Sequence, residues 1–203
     1  MKDNTKPCLI LDLDETIIYS ISREEKKDLS KDDKDKLKLM TTHKMDGGYY
    51  TVIERPGLQE FLDFAFANFN VSVWTAASKD YALFIVDHII LKDDKSRELD
   101  WILFSYHCDV SFEETGNIKD LRLVWDTYKM DGYVKSNTII MDDHPDVYSA
   151  QKKNCIFMYP FKLDNKDSTE DDFLVKLVPY LEATTKDFKS GEKINTTKIN
   201  KEM

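Results

Sequence analysis

Little in this chain could staple it together, and nothing in it would thread it through a membrane. Three cysteines occur in 203 residues: Cys8, Cys108 and Cys155. The number is odd, no two form a Cys-x-x-Cys pair, and two of them sit in apolar, strand-like runs. A disulfide framework and a cysteine zinc site are therefore excluded; the expectation is buried structural thiols in a reducing compartment. No apolar run reaches the length of a signal or a membrane span, and the opening stretch Met1–Pro7 is polar, so a cytoplasmic or nuclear location is expected. Positive charge is in deficit, with 29 Lys and Arg against 38 Asp and Glu and a net charge of −9. Neither nucleic acid nor an anionic membrane is expected as a partner. Internal repeats are absent too.

What is present suits one domain with room for a substantial core. The chain is organised around Leu9-Ile10-Leu11-Asp12-Leu13-Asp14-Glu15-Thr16, an apolar run that stops at two aspartates spaced i, i+2. Such a run reads as a buried strand whose charged end lies where it leaves the core. Residues 22–38 are a charged run, read either as a helix or as a mobile surface insertion. Thr41 to Ile53, with Asp46-Gly47-Gly48 at its middle, reads as a β-hairpin. Arg55-Pro56-Gly57 opens a helix with Leu58, Phe61, Leu62, Ala65 and Phe69 on one face.

Val71–Trp74 is a second core strand ending at Thr75, and Ser78 starts a helix that runs through Tyr81, Leu83, Phe84, Ile85, Val86, Ile89 and Ile90. Residues 92–118 read as a small β insertion: a charged loop, a short strand over 101–104, and irregular strands over 106–113. A helix follows Lys119 and carries Leu121, Val124, Trp125 and Tyr128. Thr138–Met141 is a third strand of the opening type, ending at Asp142-Asp143, with Pro145 in the first turn of the next helix. Cys155–Met158 is a fourth strand. The last helix is expected from Thr169, kinked at Pro179. Residues 184–203 are read as a polar, disordered tail.

This alternation implies an α/β fold with a central, mainly parallel sheet, right-handed crossovers and helices on both faces. Parallel strands bring their carboxyl ends to one edge, so Asp12, Asp14, Thr75, Asp142 and Asp143 should converge there. Gathered carboxylates repel one another and ionise together only beside a cation; hard oxygen ligands with room for water favour Mg²⁺. A carboxylate held in this way can attack a phosphoryl group, and a second one two residues on can handle the proton. Lys119 and Thr75 are the candidates to hold phosphoryl oxygens.

Asp12-x-Asp14-x-Thr16, then Thr75, Lys119 and Asp142-Asp143 in that order, resemble the four motifs of the haloacid dehalogenase superfamily. Arg55-Pro56-Gly57, Trp74-Thr75-Ala76, Lys119-Asp120-Leu121 and Ile140-Met141-Asp142-Asp143 narrow the resemblance to its CTD-phosphatase-like, NLI-interacting-factor-like branch, over about residues 6–183. The resemblance implies a Rossmann-like core and a Mg²⁺-dependent protein serine/threonine phosphatase working through an aspartyl-phosphate. It implies Asp12 as nucleophile and metal ligand, Asp14 as general acid/base that also lends the metal its backbone carbonyl, and Thr16, Thr75 and Lys119 as phosphate ligands. Asp142 and Asp143 complete the metal site, with the direct ligand of the two left open. The implied partner is a phosphorylated protein or peptide, with the RNA polymerase II C-terminal repeat as one candidate.

Two departures bear on that candidate. Small CTD phosphatases of this branch carry an Arg-Glu pair before the cysteine where this chain has Ser105-Tyr106-His107 before Cys108. They also tend to carry Asp-Asn where this chain has Asp142-Asp143. Two alternatives stand beside the protein phosphatase: a catalytically silent binding module, which loss of Asp12 or Asp14 would signal, and a small-molecule phosphatase, which would often carry a larger cap than residues 92–118.

Overall fold

The computed structural model describes residues 5–203, so the first four residues of the polar opening stretch lie outside it. The chain runs through β1 (Cys8–Leu11), β2 (Ile18–Ser22), α1 (Arg23–Asp28), α2 (Lys31–Leu39), β3 (Thr42–Met45), β4 (Tyr50–Glu54) and α3 (Leu58–Asn68). Then come β5 (Asn70–Trp74), α4 (Lys79–Ile85, continued in wider turns over Val86–Leu91), β6 (Leu99–Leu103) and α5 (Ser105–Thr115). The last part holds β7 (Thr138–Asp142), α6 (Pro145–Ala150), β8 (Cys155–Phe157), α7 (Phe173–Lys189) and α8 (Ile199–Glu202).

Five strands make one parallel sheet in the order β6-β5-β1-β7-β8. Both faces of β1 are covered. Leu9 and Leu11 point into a core shared with α3, α4 and α7, while Cys8 and Ile10 point into a second core with Leu121, Val124 and Val147. Burial on both faces is why the strand reads as an unbroken apolar run rather than an alternating one. Leu11 lies in register between Val73 and Met141, so Asp12, Trp74 and Asp142 leave the sheet side by side.

A second, three-stranded antiparallel sheet, β2-β4-β3, follows the acidic turn. Its β3–β4 connection carries Gly47 at φ 60° and Gly48 at φ 84°, the positive angles expected of the Gly pair. Gly57, at φ 76° before α3, allows the close approach of α7: a Cβ there would meet Val175 Cγ2 at 2.9 Å. The charged run over 22–38 forms two short helices. Ser22 and Glu25 close the first as a reciprocal cap, and Ser30 caps the second.

Three expectations are corrected. Residues 106–113 are not irregular strands but the body of α5, so the small β element of this fold lies at 18–54 rather than within 92–118. The helix buries only Cys108 and Ser111 and leaves Tyr106 and Phe112 exposed, so it shows no apolar stripe to read. The last helix starts at Phe173 rather than Thr169, after a short turn at 168–170, and it extends to Lys189 with Pro179 inside it. The tail is docked rather than disordered: Ile194 and Ile199 are buried. Thr196 Oγ1 and Asn200 Nδ2 donate to Cys155 O, and Asn200 Oδ1 accepts from Phe157 N. These side chains satisfy the outer edge of β8, where a strand end would otherwise present unpaired backbone groups.

Cys8, Cys108 and Cys155 are buried, and none of them is in a disulfide. Among the described residues no helix is long and apolar enough to cross a membrane.

Candidate active site

The turn after β1 is a strained piece of backbone held from three sides. Glu15 adopts φ 60°, a conformation costly for a residue with a side chain. Its N–H donates to Ile18 O, and its carbonyl accepts from Phe161 N at 2.7 Å. Arg55, only 1% exposed, donates from Nη1 to Thr16 O at 2.9 Å and to Tyr159 O at 3.1 Å. The same guanidinium makes two 2.8 Å bonds to Asp171 and lies over the rings of Phe161 and Phe173. Arg55 thus ties the acidic turn to the start of α7, a link from the Arg-Pro-Gly motif that local pattern alone does not announce.

Lys119 is the hub of what converges at the sheet edge. Its Nζ lies 2.6 Å from Asp12 Oδ1 and 2.8 Å from Asp142 Oδ2, and all three side chains are nearly or fully out of solvent. Burial alone would lower the lysine's pKa, but the Asp12 and Asp142 carboxylates overcome it and hold the ammonium above its usual range. Thr16 Oγ1 donates weakly toward Asp12 Oδ2 at 3.4 Å and toward Asp143 Oδ1 at 3.2 Å. Asp142 Oδ1 accepts from His144 N at 2.8 Å, so both of its oxygens are engaged.

Asp12, Asp142 and Asp143 each place one carboxylate oxygen within 4.8 Å of the others. One lysine cannot balance this set. Desolvation raises the Asp12 carboxyl most, Lys119 opposes it, Asp142 adds to it, and the net effect pushes it up to about 8. Desolvation and then Asp142 raise Asp143 as well. The donor set is all carboxylate oxygen, with more negative charge than its one buried cation offsets. That is the chemistry of a hard divalent ion such as Mg²⁺.

Asp14 stands apart from this cluster. Its Oδ1 accepts from Tyr81 Oη at 2.6 Å, and Tyr81 Oη in turn bonds Ser20 Oγ. Desolvation raises the Asp14 carboxyl, against the Tyr81 hydrogen bond. Thr75 is buried on the same edge, but its Oγ1 accepts from Ala77 N at 3.0 Å and touches none of the acids. Sequence reasoning expected Asp12, Asp14, Thr75, Asp142 and Asp143 at one edge with Lys119 nearby; the structure gathers Asp12, Lys119, Asp142 and Asp143 and leaves Asp14 and Thr75 bonded elsewhere. Sequence reasoning missed Tyr81, which it read only as an apolar position of α4; Ser20 was likewise passed over.

The chain is 40% identical over 175 residues to a CTD phosphatase-like protein of Invertebrate iridescent virus 6, covering 83% of this chain and 93% of that one. A counterpart in Invertebrate iridescent virus 3 is 37% identical over 187 residues, covering 90% and 98%. Among solved structures, the fission yeast RNA polymerase II CTD phosphatase Fcp1 bound to beryllium fluoride matches with a TM-score of 0.54 at 22% identity. That match covers 93% of this chain but about half of the Fcp1 chain (53%), and it speaks for the fold. The family model described as NLI interacting factor-like phosphatase matches residues 7–192. The chain belongs to the NLI interacting factor-like phosphatases.

Proposed function

We propose that this phosphatase is a Mg²⁺-dependent protein serine/threonine phosphatase that works through an aspartyl-phosphate on Asp12. The observation that carries the reading is the buried Asp12–Lys119–Asp142 ion cluster with Asp143 beside it at the open edge of the sheet. Asp12, Asp143 and the Asp14 carbonyl hold the metal. Asp142, with both oxygens already engaged, anchors Lys119 instead. When bound, the divalent ion offsets the charge between the carboxylates and the incoming phosphate.

The residues divide the work. Asp12 attacks phosphorus: a bond forms from its carboxylate oxygen to phosphorus as the bond to the serine or threonine oxygen breaks. Asp14 gives that leaving oxygen a proton, then takes one from the water that releases phosphate and restores the Asp12 carboxylate. Lys119, Thr16 and Thr75 hold the phosphoryl oxygens as charge shifts among them. For Thr75 this means giving its hydroxyl proton to phosphate while still accepting from Ala77 N.

The substrate class is a phosphorylated protein segment. The CTD phosphatase relatives make the RNA polymerase II repeat the first candidate, and the proposed site of action is the cytoplasm or nucleus. Purified protein with Mg²⁺ should hydrolyse phosphopeptides, lose the activity with chelator or Asp12→Asn, and bind BeF₃⁻ at Asp12. Metal-independent turnover, or equal turnover by the Asp12→Asn variant, would sink the reading.

A further inference from the structure

Three elements meet at Asp14 for a purpose the charged cluster does not require. Asp14 sits on the turn after β1, Ser20 on β2 and Tyr81 in the first turn of α4. Tyr81 Oη donates to Asp14 Oδ1 at 2.6 Å. A phenol has one proton, and here it is given to the carboxylate, so the Ser20 hydroxyl is the donor to Tyr81 Oη. The direction of the chain is therefore fixed: Ser20 to Tyr81 to Asp14. The turn of α4 that carries Tyr81 is itself held, since Ser78 Oγ accepts from Tyr81 N at 3.4 Å. The Tyr81 ring meets the edge of Tyr50 from the second sheet at 6.5 Å between centroids. A cleft of about 380 Å³, lined in part by Asp14, Ser20, Tyr50 and Tyr81, opens on these groups.

An aspartate carboxylate is free to turn about its last bond, and that torsion is broad. Among the described residues no lysine is bonded to Asp14, unlike Asp12; Lys119 acts on it only through its charge. We propose that Tyr81, braced by Ser20, is the positioning residue for Asp14: it ties up one carboxylate oxygen so that the other faces the scissile phosphate ester. The proposal rests on the phosphoryl-transfer reading above, in which Asp14 hands a proton to the oxygen that leaves phosphorus. Tyr81 itself gives up no proton in that step. It sets which oxygen of Asp14 is presented, and misplacement of a catalytic group by a fraction of an ångström is enough to slow a proton transfer.

The test exploits the leaving group. A serine alkoxide must be protonated as it departs, whereas p-nitrophenolate leaves as a stable anion. kcat/KM is measured for Tyr81→Phe and Ser20→Ala with a phosphoserine peptide and with p-nitrophenyl phosphate. Tyr81→Phe should cost the phosphoserine peptide about tenfold to thirtyfold more than it costs p-nitrophenyl phosphate, a part of the full value of a general acid. Ser20→Ala should shift the ratio in the same direction by less, and it serves alone if Tyr81→Phe fails to fold. Equal losses on both substrates, or no loss on either, overturn the positioning role. A wild-type protein with no Asp12-dependent turnover on either substrate would instead remove the phosphatase reading, and this proposal with it.

Discussion

Asp12 and Asp14 are two residues apart on one turn, yet they live in opposite settings. Asp12 is closed off from solvent and clamped by the Lys119 ammonium, with Asp142 on the far side of it. Asp14 is half-buried, faces an open cleft, and is held by a neutral phenol. Spacing i, i+2 at the end of a strand produces this split, because one acid continues along the sheet edge while the turn carries the other outward. A buried acid locked to a cation suits a fixed nucleophile. An acid that faces an open cleft and is held by an uncharged hydrogen bond suits a proton carrier.

The contrast would break most visibly in turnover. Asp12→Asn should abolish both hydrolysis and any phosphorylated protein. Asp14→Asn should lower peptide turnover by about 10²–10⁴-fold, the range for a general acid–base group, while still accumulating phosphoprotein from an aryl phosphate. Quench-flow with acid gel analysis separates the two outcomes; identical behaviour would erase the division between the acids.

Stability sharpens the same contrast. Lys119→Met leaves buried carboxylates without their cation and should cost about 3–5 kcal/mol in urea unfolding. Mg²⁺ should raise the variant's midpoint by more than the wild type's. Tyr81→Phe, on the Asp14 side, removes both hydrogen bonds of the phenol and should cost about 1–3 kcal/mol. A larger penalty for Tyr81→Phe than for Lys119→Met would reverse the assignment of the locked and the open acid. The smallest effect on activity calibrates both: Asn200→Ala, far from either acid on the β8 edge, removes two hydrogen bonds and should cost about 1–3 kcal/mol while leaving kcat/KM unchanged.

Much of this was legible before the structure, and for physical reasons. β1 could be read because both of its faces are buried, so Cys8 to Leu11 are apolar without interruption. The meeting of Asp12 with Asp142 and Asp143 followed from parallel topology, since one sheet edge collects the ends of β1 and β7; Lys119, outside the strands, was expected there only to hold phosphate. The failures share a cause as well. α5 packs through the small side chains of Cys108 and Ser111, so its sequence shows no helical stripe, though Gly116 at φ 80° just past its end was a stop signal of the usual kind. The tail is held by polar side chains on backbone groups of β8, and polarity in a sequence does not say whether the partner is water or a strand edge. Tyr81 looked like one more apolar position of α4 because its ring is; only the fold shows its hydroxyl reaching Asp14.

The central claim is that Asp12, not Asp14, takes the phosphoryl group. Borohydride reduction of the acid-quenched enzyme–substrate mixture converts an acyl phosphate to an alcohol, and tandem mass spectrometry of the turn peptide locates it. The account predicts a homoserine side chain in place of Asp12 and an unmodified Asp14. Reduction at Asp14, or at neither residue while the enzyme turns over, would contradict it.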